Sequence, residues 1–267
     1  VILSTSLIKK FIKRGDEIQY CPKNIKEVSI DKKFDFTSDS MDNGSYFESM
    51  CIGATADKSL FTGLKKQKNG TRYAHHKRID MQVLEFRKDA KLLKLRINKM
   101  TVQQEFVKVL DLFDDPDIVV IIKGTLDLFS EMFYRNETLL AVIDLKLTAN
   151  VTTSAGDFCW GTPDEMDHLQ AYVYMILTGR PFFYMVYDYK SNLEKLSPYK
   201  VNMKSGHYKE TIETIRKAVA NMVRCEMEDW KPIPGIIVST GFGRTENKCK
   251  KCPVTNCKYF NQHLEIN

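Results

Sequence analysis

The chain has 267 residues, 43% hydrophobic and 28% charged, with 13 glycines and 8 prolines. That excludes a disordered or low-complexity protein and leaves ample chain for a core. Lys and Arg number 40 against 34 Asp and Glu, a net +6 that is compatible with a phosphate-rich partner without requiring one. No apolar run approaches the roughly 18 to 20 residues of a membrane span. The opening VILSTSLIKKF runs from apolar to lysine, the wrong order for a signal peptide. The expectation is a soluble cytoplasmic protein with no membrane partner.

Taken in chain order, Leu7, Ile8 and Phe11 fall at helical spacing behind Ser4 or Thr5 as a cap. Asp42-Asn43-Gly44 reads as a turn, and Ser45 with Glu48 as the capping box of a second short helix. Residues 63–78, GLKKQKNGTRYAHHKR, form a basic arm or loop, and a helical pattern covers roughly residues 80–111. Asp117–Glu131 and Leu139–Leu147 are β-branched and apolar, a hairpin with its turn at Arg135-Asn136-Glu137. Thr162-Pro163-Asp164-Glu165 opens a helix running to Thr178, and Gly179 follows its end. Phe182–Tyr189 and Leu193–Met203 read as strands, and Ser205–Glu228 as a long amphipathic helix. A loop-rich tail follows Gly235. Strands and helices interleave without a strict βαβ rhythm, so the expected fold is α/β, one domain over residues 1–267 with a mixed sheet flanked by helices.

The chemistry concentrates in the hairpin. Side chains alternate along a strand, so Asp144 and Lys146 share a face of LLAVIDLKL. A two-residue turn at Asn136-Glu137 puts Asp127 opposite Lys146; a four-residue loop puts it opposite Asp144. Either register gathers two carboxylates and one ammonium, with Leu126, Leu128, Ile143 and Leu145 on the other face. Two carboxylates in an apolar sheet are costly unless a cation or proton lies between them. Magnesium or manganese, with oxygen ligands and positions left for water, resolves that cost. A surface ion pair is the plain alternative.

Gly124-Thr125-Leu126-Asp127, Ile143-Asp144-Leu145-Lys146 and Gln170-Ala171-Tyr172-Val173-Tyr174 together resemble the ordered motif series of RecB-type nucleases in the PD-(D/E)XK superfamily. The resemblance implies a restriction-endonuclease-like core and a metal-dependent DNA exonuclease, bacterial or phage-encoded, working in recombination, repair or phage DNA processing. It implies that Asp127 and Asp144 bind the metal, that Lys146 assists the attacking water, and that Gln170 and Tyr174, four apart on one helix face, position the strand. An early helix of the family often adds a His; here Glu48 stands in that segment, either as a further metal ligand or only as a capping-box residue. His75 and His76 are rivals that fit the basic stretch better. The implied partner is DNA, through a free end or single strand, with a helicase, annealing or recombination protein beside it. A structure-specific endonuclease on the same core and a catalytically silent scaffold are the rival readings.

Seven cysteines, three of them in CKKCPVTNC, suggest thiolate ligation rather than disulfides. Cys249, Cys252 and Cys257 give three ligands where a closed site needs four. The opening LSTSLIKKF and Cys21-Pro22-Lys23 resemble the N-terminal segment of AddB-like and CRISPR-associated RecB-like nucleases that carry an iron–sulfur cluster. That resemblance supplies Cys21 as the fourth ligand of a 4Fe–4S cluster, with zinc the alternative. It would join a segment of about residues 1–25 to one of about 245–260. Cys51 is the fallback ligand; Cys159 and Cys225 read as core thiols. Lys65, Lys66, Lys68, Arg72, Lys77 and Arg78 could track a phosphate backbone or form a solvated loop. Phe158, Trp160 and Tyr172 read as core aromatics, with stacking on bases the alternative.

Overall fold

The computed structural model describes residues 1–14, 17–18, 21–34, 38–53, 67–71, 73–115, 117–149, 151, 168–190, 195–232, 237–239, 245–247, 249 and 252–257. The first elements are β1 (Ile2–Ser4), α1 (Thr5–Phe11), β2 (Lys13–Arg14), β3 (Glu17–Ile18), α2 (Pro22–Asn24) with a π-helical turn at Ile25–Ile30, and α3 (Asp39–Ile52). The middle holds α4 (Ala74–Leu92), β4 (Val102–Leu110), β5 (Val120–Tyr134), β6 (Glu137–Thr148) and α5 (His168–Thr178). Then come β7 (Phe182–Asp188), β8 (Lys195–Val201), α6 (Ser205–Met227), β9 (Ile237–Ser239) and β10 (Thr245–Asn247). Six strands form one mixed sheet in the order β1-β5-β6-β7-β8, with β4 also pairing with β5. This is the α/β class with a mixed, helix-flanked sheet that the interleaved pattern implies. No helix among the described residues is long and apolar enough to cross a membrane.

Backbone contacts divide the chain into two compact units: Val1–Phe36, Val109–Ile122 and Lys209–Asn267 in one, Thr37–Lys108 and Lys123–Tyr208 in the other. In the first, Ser4 caps α1 by accepting from the Leu7 N–H at 3.3 Å. The Asn221 amide on α6 donates to the Phe11 carbonyl at 2.7 Å, and Phe11 packs on Trp230 with ring centroids 6.2 Å apart. The loop-rich tail carries one hairpin, β9 with β10.

The second unit is built on the β5–β6 hairpin. Its turn is Arg135-Asn136, both at positive φ (51° and 68°), which suits the right-handed twist of paired strands. Tyr134 therefore pairs with Glu137 and Leu128 with Ile143. That corrects the longer turn read from sequence, and it selects the register that sets Asp127 opposite Asp144. β6 runs parallel to β7, with Asp144 beside Tyr184. Every residue of β7 is buried. Phe47, Ile79, Phe86, Leu128, Ile143, Leu145, Phe183 and Tyr187 form the core on one side of this sheet, drawing α3 and α4 onto it.

Three expected elements differ. α3 begins at Asp39, capped by Ser38 accepting from the Met41 N–H, so Asp42-Asn43-Gly44 is helix rather than turn. The acidic first turn and the Gly53 C-cap at φ 65° sustain all 14 residues, and Glu48 is mid-helix rather than a capping-box residue. The helix expected over residues 80–111 is instead α4, a turn and β4; residues 102–107 alternate in exposure with period two, a strand pattern. α4 also starts early enough to take His75, His76, Lys77 and Arg78 out of the expected loop. The opening of the helix expected at Thr162–Glu165, Phe158, Cys159 and Trp160, and the basic residues Lys65, Lys66 and Arg72 lie outside the described residues.

Candidate active site

The second unit carries Glu48, Asp127, Asp144, Lys146, Gln170 and Tyr174, and it sets Asp127, Asp144, Lys146 and Gln170 side by side. The hairpin register puts Asp127 across from Asp144, and the Leu145 N–H donates to Asp127 Oδ2 at 2.8 Å, tying one strand's carboxylate to the other strand's backbone. Asp144 is 2% exposed, and it accepts from Gln170 Nε2 at 2.8 Å and pairs with Lys146 Nζ at 2.5 Å.

α5 supplies Gln170 and Tyr174 from one face, and Gly124 explains how the helix comes so close. A Cβ there would lie 2.6 Å from Tyr174 Cε1 and 3.2 Å from Leu177 Cδ1. With no side chain in the way, the Tyr174 hydroxyl donates to the Thr125 carbonyl at 3.2 Å. Gly124 and Tyr174 are therefore two halves of one packing contact.

The electrostatics carry excess negative charge. Asp127 is half-buried, and its carboxyl is held well above the ordinary value by burial and then by Asp144, with Glu48 adding to it and Lys146 opposing. Glu48 is also raised, by burial first, and it feels the charges of both Lys146 and Asp144. Burial alone would lower the Lys146 ammonium, but Asp144 and Asp127 outweigh it and hold it above its usual range. The Tyr174 phenol is pushed up to about 12 by burial and by the same carboxylates. Burial and Asp144 likewise raise the neighbouring Tyr184. Glu48, from α3, thus lies within electrostatic reach of the hairpin carboxylates; His75 and His76 instead pack on each other, centroids 4.2 Å apart, and on Tyr73.

Asp127, Asp144 and Glu48 offer only oxygen donors, the type hard divalent cations take. Among the described residues, no three His, Cys, Asp or Glu side chains stand close enough together to hold a metal ion as placed. In this arrangement Lys146 supplies the compensating charge on Asp144. Sequence reading missed Gln103, whose amide donates to Glu48 Oε1. A lone Gln in an alternating strand gives no signal of that contact.

The four candidate cluster cysteines all belong to the first unit. Asn24, at the end of α2 just after Cys21, donates from Nδ2 to Cys252 Sγ at 3.3 Å, and the Cys252 N–H donates to the Cys249 carbonyl at 3.3 Å. The first of these bonds holds the tail loop against the N-terminal segment. Cys249 is buried, and Cys21, Cys252 and Cys257 are half-buried. Cys51 is buried in the core of the other unit, and burial pushes its thiol up.

Neither a family model nor a curated protein sequence matches the chain. Among solved structures, the fold is similar to that of a crystal structure from Eubacterium rectale described as a "putative exonuclease". The TM-score is 0.59, over 86% of this chain and 83% of that one, at 17% identity. The likeness is one of fold.

Proposed function

We propose that this chain is a divalent-metal-dependent deoxyribonuclease of the RecB-like PD-(D/E)XK type. It acts as an exonuclease on a free or single-stranded DNA end, in recombination, repair or phage DNA processing. One observation carries the reading: Asp127, Asp144, Lys146 and Gln170 converge from two strands and a helix, with Glu48 of α3 feeling the charges of Asp144 and Lys146. The fold shared with a protein described as an exonuclease supports it.

Asp127 and Asp144, with Glu48, would hold magnesium or manganese after drawing closer than they stand, and the ion would supply a Lewis acid for the scissile phosphate and a site for water. Lys146, which pairs with Asp144, would offset charge on the phosphate. Gln170 keeps Asp144 oriented, and Tyr174 fixes α5 against β5 so that Gln170 stays in reach. Cys21, Cys249, Cys252 and Cys257 are the proposed 4Fe–4S ligands, with zinc the alternative. Loading requires the thiols to draw closer than they stand, and ties the tail to the N-terminal segment.

The test is incubation of linear and circular DNA, single- and double-stranded, with manganese or magnesium. Loss of linear DNA alone is expected. Nicked circles would convert the reading to an endonuclease, and tight binding without cleavage to a silent scaffold.

A further inference from the structure

We propose that Gln103 is a positioning residue of this site, holding the Glu48 carboxylate in place toward Asp144 and Lys146. The inference rests on the nuclease reading and goes beyond it by naming a group outside the motif series.

The Gln103 backbone is the first observation. Seven non-glycine residues have positive φ among those described: Lys32, Lys94, Gln103, Arg135, Asn136, Asp229 and Trp230. Lys32, Lys94, Asp229 and Trp230 follow helical segments, and Arg135 and Asn136 make the hairpin turn, all places where the left-handed region is ordinary. Gln103 alone lies in a strand, as the second residue of β4 just past the turn that precedes it, at φ 51°. Its side chain is exposed, so no core packing accounts for that backbone. Strain of this kind persists where the surroundings over-determine it, and it gathers at functional sites.

The second observation is what that backbone delivers. Gln103 Nε2 donates to Glu48 Oε1, joining β4 to the middle of α3. The third is the support beneath it. Arg96 N–H donates to Ser130 Oγ at 2.9 Å, and Ser130 Oγ donates to the Arg96 carbonyl at 3.0 Å, which pins the turn to β5. Within the turn, Thr101 Oγ1 donates to the Arg96 carbonyl at 2.8 Å and accepts from the Asn98 N–H at 2.9 Å. The Gln104 amide is spent on the carbonyls of Lys99 and Val102. Gln103 is therefore presented from a cross-braced turn while its neighbour's amide closes that turn. Such bracing is how a side chain outside the ligand set fixes the orientation of a ligand.

The experiment compares the full-length wild type with Q103A, Q103G, Q103E, E48Q and E48Q/Q103A. It reads manganese binding by calorimetry without DNA, the manganese concentration for half-maximal cleavage, and the melting temperature. Q103A and Q103G are expected to weaken manganese by roughly 10- to 100-fold. Q103G should nonetheless melt no lower than Q103A, because glycine adopts φ 51° freely. Q103E, which sets a carboxylate against Glu48, should be weaker than Q103A, and E48Q/Q103A no weaker than E48Q alone. Wild-type manganese affinity in Q103A and Q103G, or in E48Q, overturns the inference, as does additivity in the double variant. A wild type that neither binds manganese nor cleaves DNA brings down the nuclease reading itself, and that result is seen before any variant is made.

Discussion

Asp127 shows at a single residue what a carboxylate buried beside another carboxylate does to a fold. Its folded pKa lies above its unfolded one, so between the two the native state is protonated while the unfolded chain has already ionised. Stability then falls as pH rises through that window, and the full cost is present above it. Asp127→Asn, which keeps an oxygen for the Leu145 N–H, should raise the metal-free melting temperature at neutral pH by a few degrees, on the order expected for about 1 kcal/mol. That gain should vanish as pH drops below the raised pKa, and a pH series of melting curves checks both parts. Manganese at about a hundred times its Kd should add roughly 2.7 kcal/mol to the wild type and much less to the variant. Lys146 is the opposite case. Lys146→Ala removes the partner of a carboxylate 2% exposed and should cost about 3–5 kcal/mol in denaturant unfolding at neutral pH.

At the scale of elements, the site depends on how closely α5 approaches β5. Gly124→Ala places a Cβ 2.6 Å from the Tyr174 ring. The helix must shift, at about 1–3 kcal/mol of stability, and Gln170 should lose its hold on Asp144, lowering kcat by roughly 100-fold. A variant with wild-type cleavage would show that the close approach serves packing alone. The hairpin and α5 were legible in the sequence because strand alternation and four-residue helical spacing are local signals. The register was not, since it turned on whether Arg135-Asn136 or Asn136-Glu137 adopts positive φ. Glu48 was ambiguous for a related reason: Ser45 and Glu48 imitate a capping box, while the actual cap, Ser38, lies seven residues upstream of Ser45. The break between α4 and β4 was hidden by residues 93–101, which carry no Pro or Gly to punctuate them.

Across the whole chain, the candidate catalytic groups and the candidate cluster cysteines fall in different compact units. Cys21→Ser and Cys257→Ser should therefore lose bound iron or zinc and melt lower, whereas Cys51→Ala, in the core of the other unit, should keep the metal content. Elemental analysis of protein purified without oxygen decides this; equal metal in all three would remove the cysteine assignment. The central claim is that Asp127 and Asp144 form one divalent-cation site, and calorimetric titration of manganese into wild type and Asp144→Asn at neutral pH tests it most directly. Expected is saturable binding in the wild type that weakens in the variant by about 100-fold or more, some 2.8 kcal/mol. Equal binding by both proteins, or none by the wild type, would contradict it.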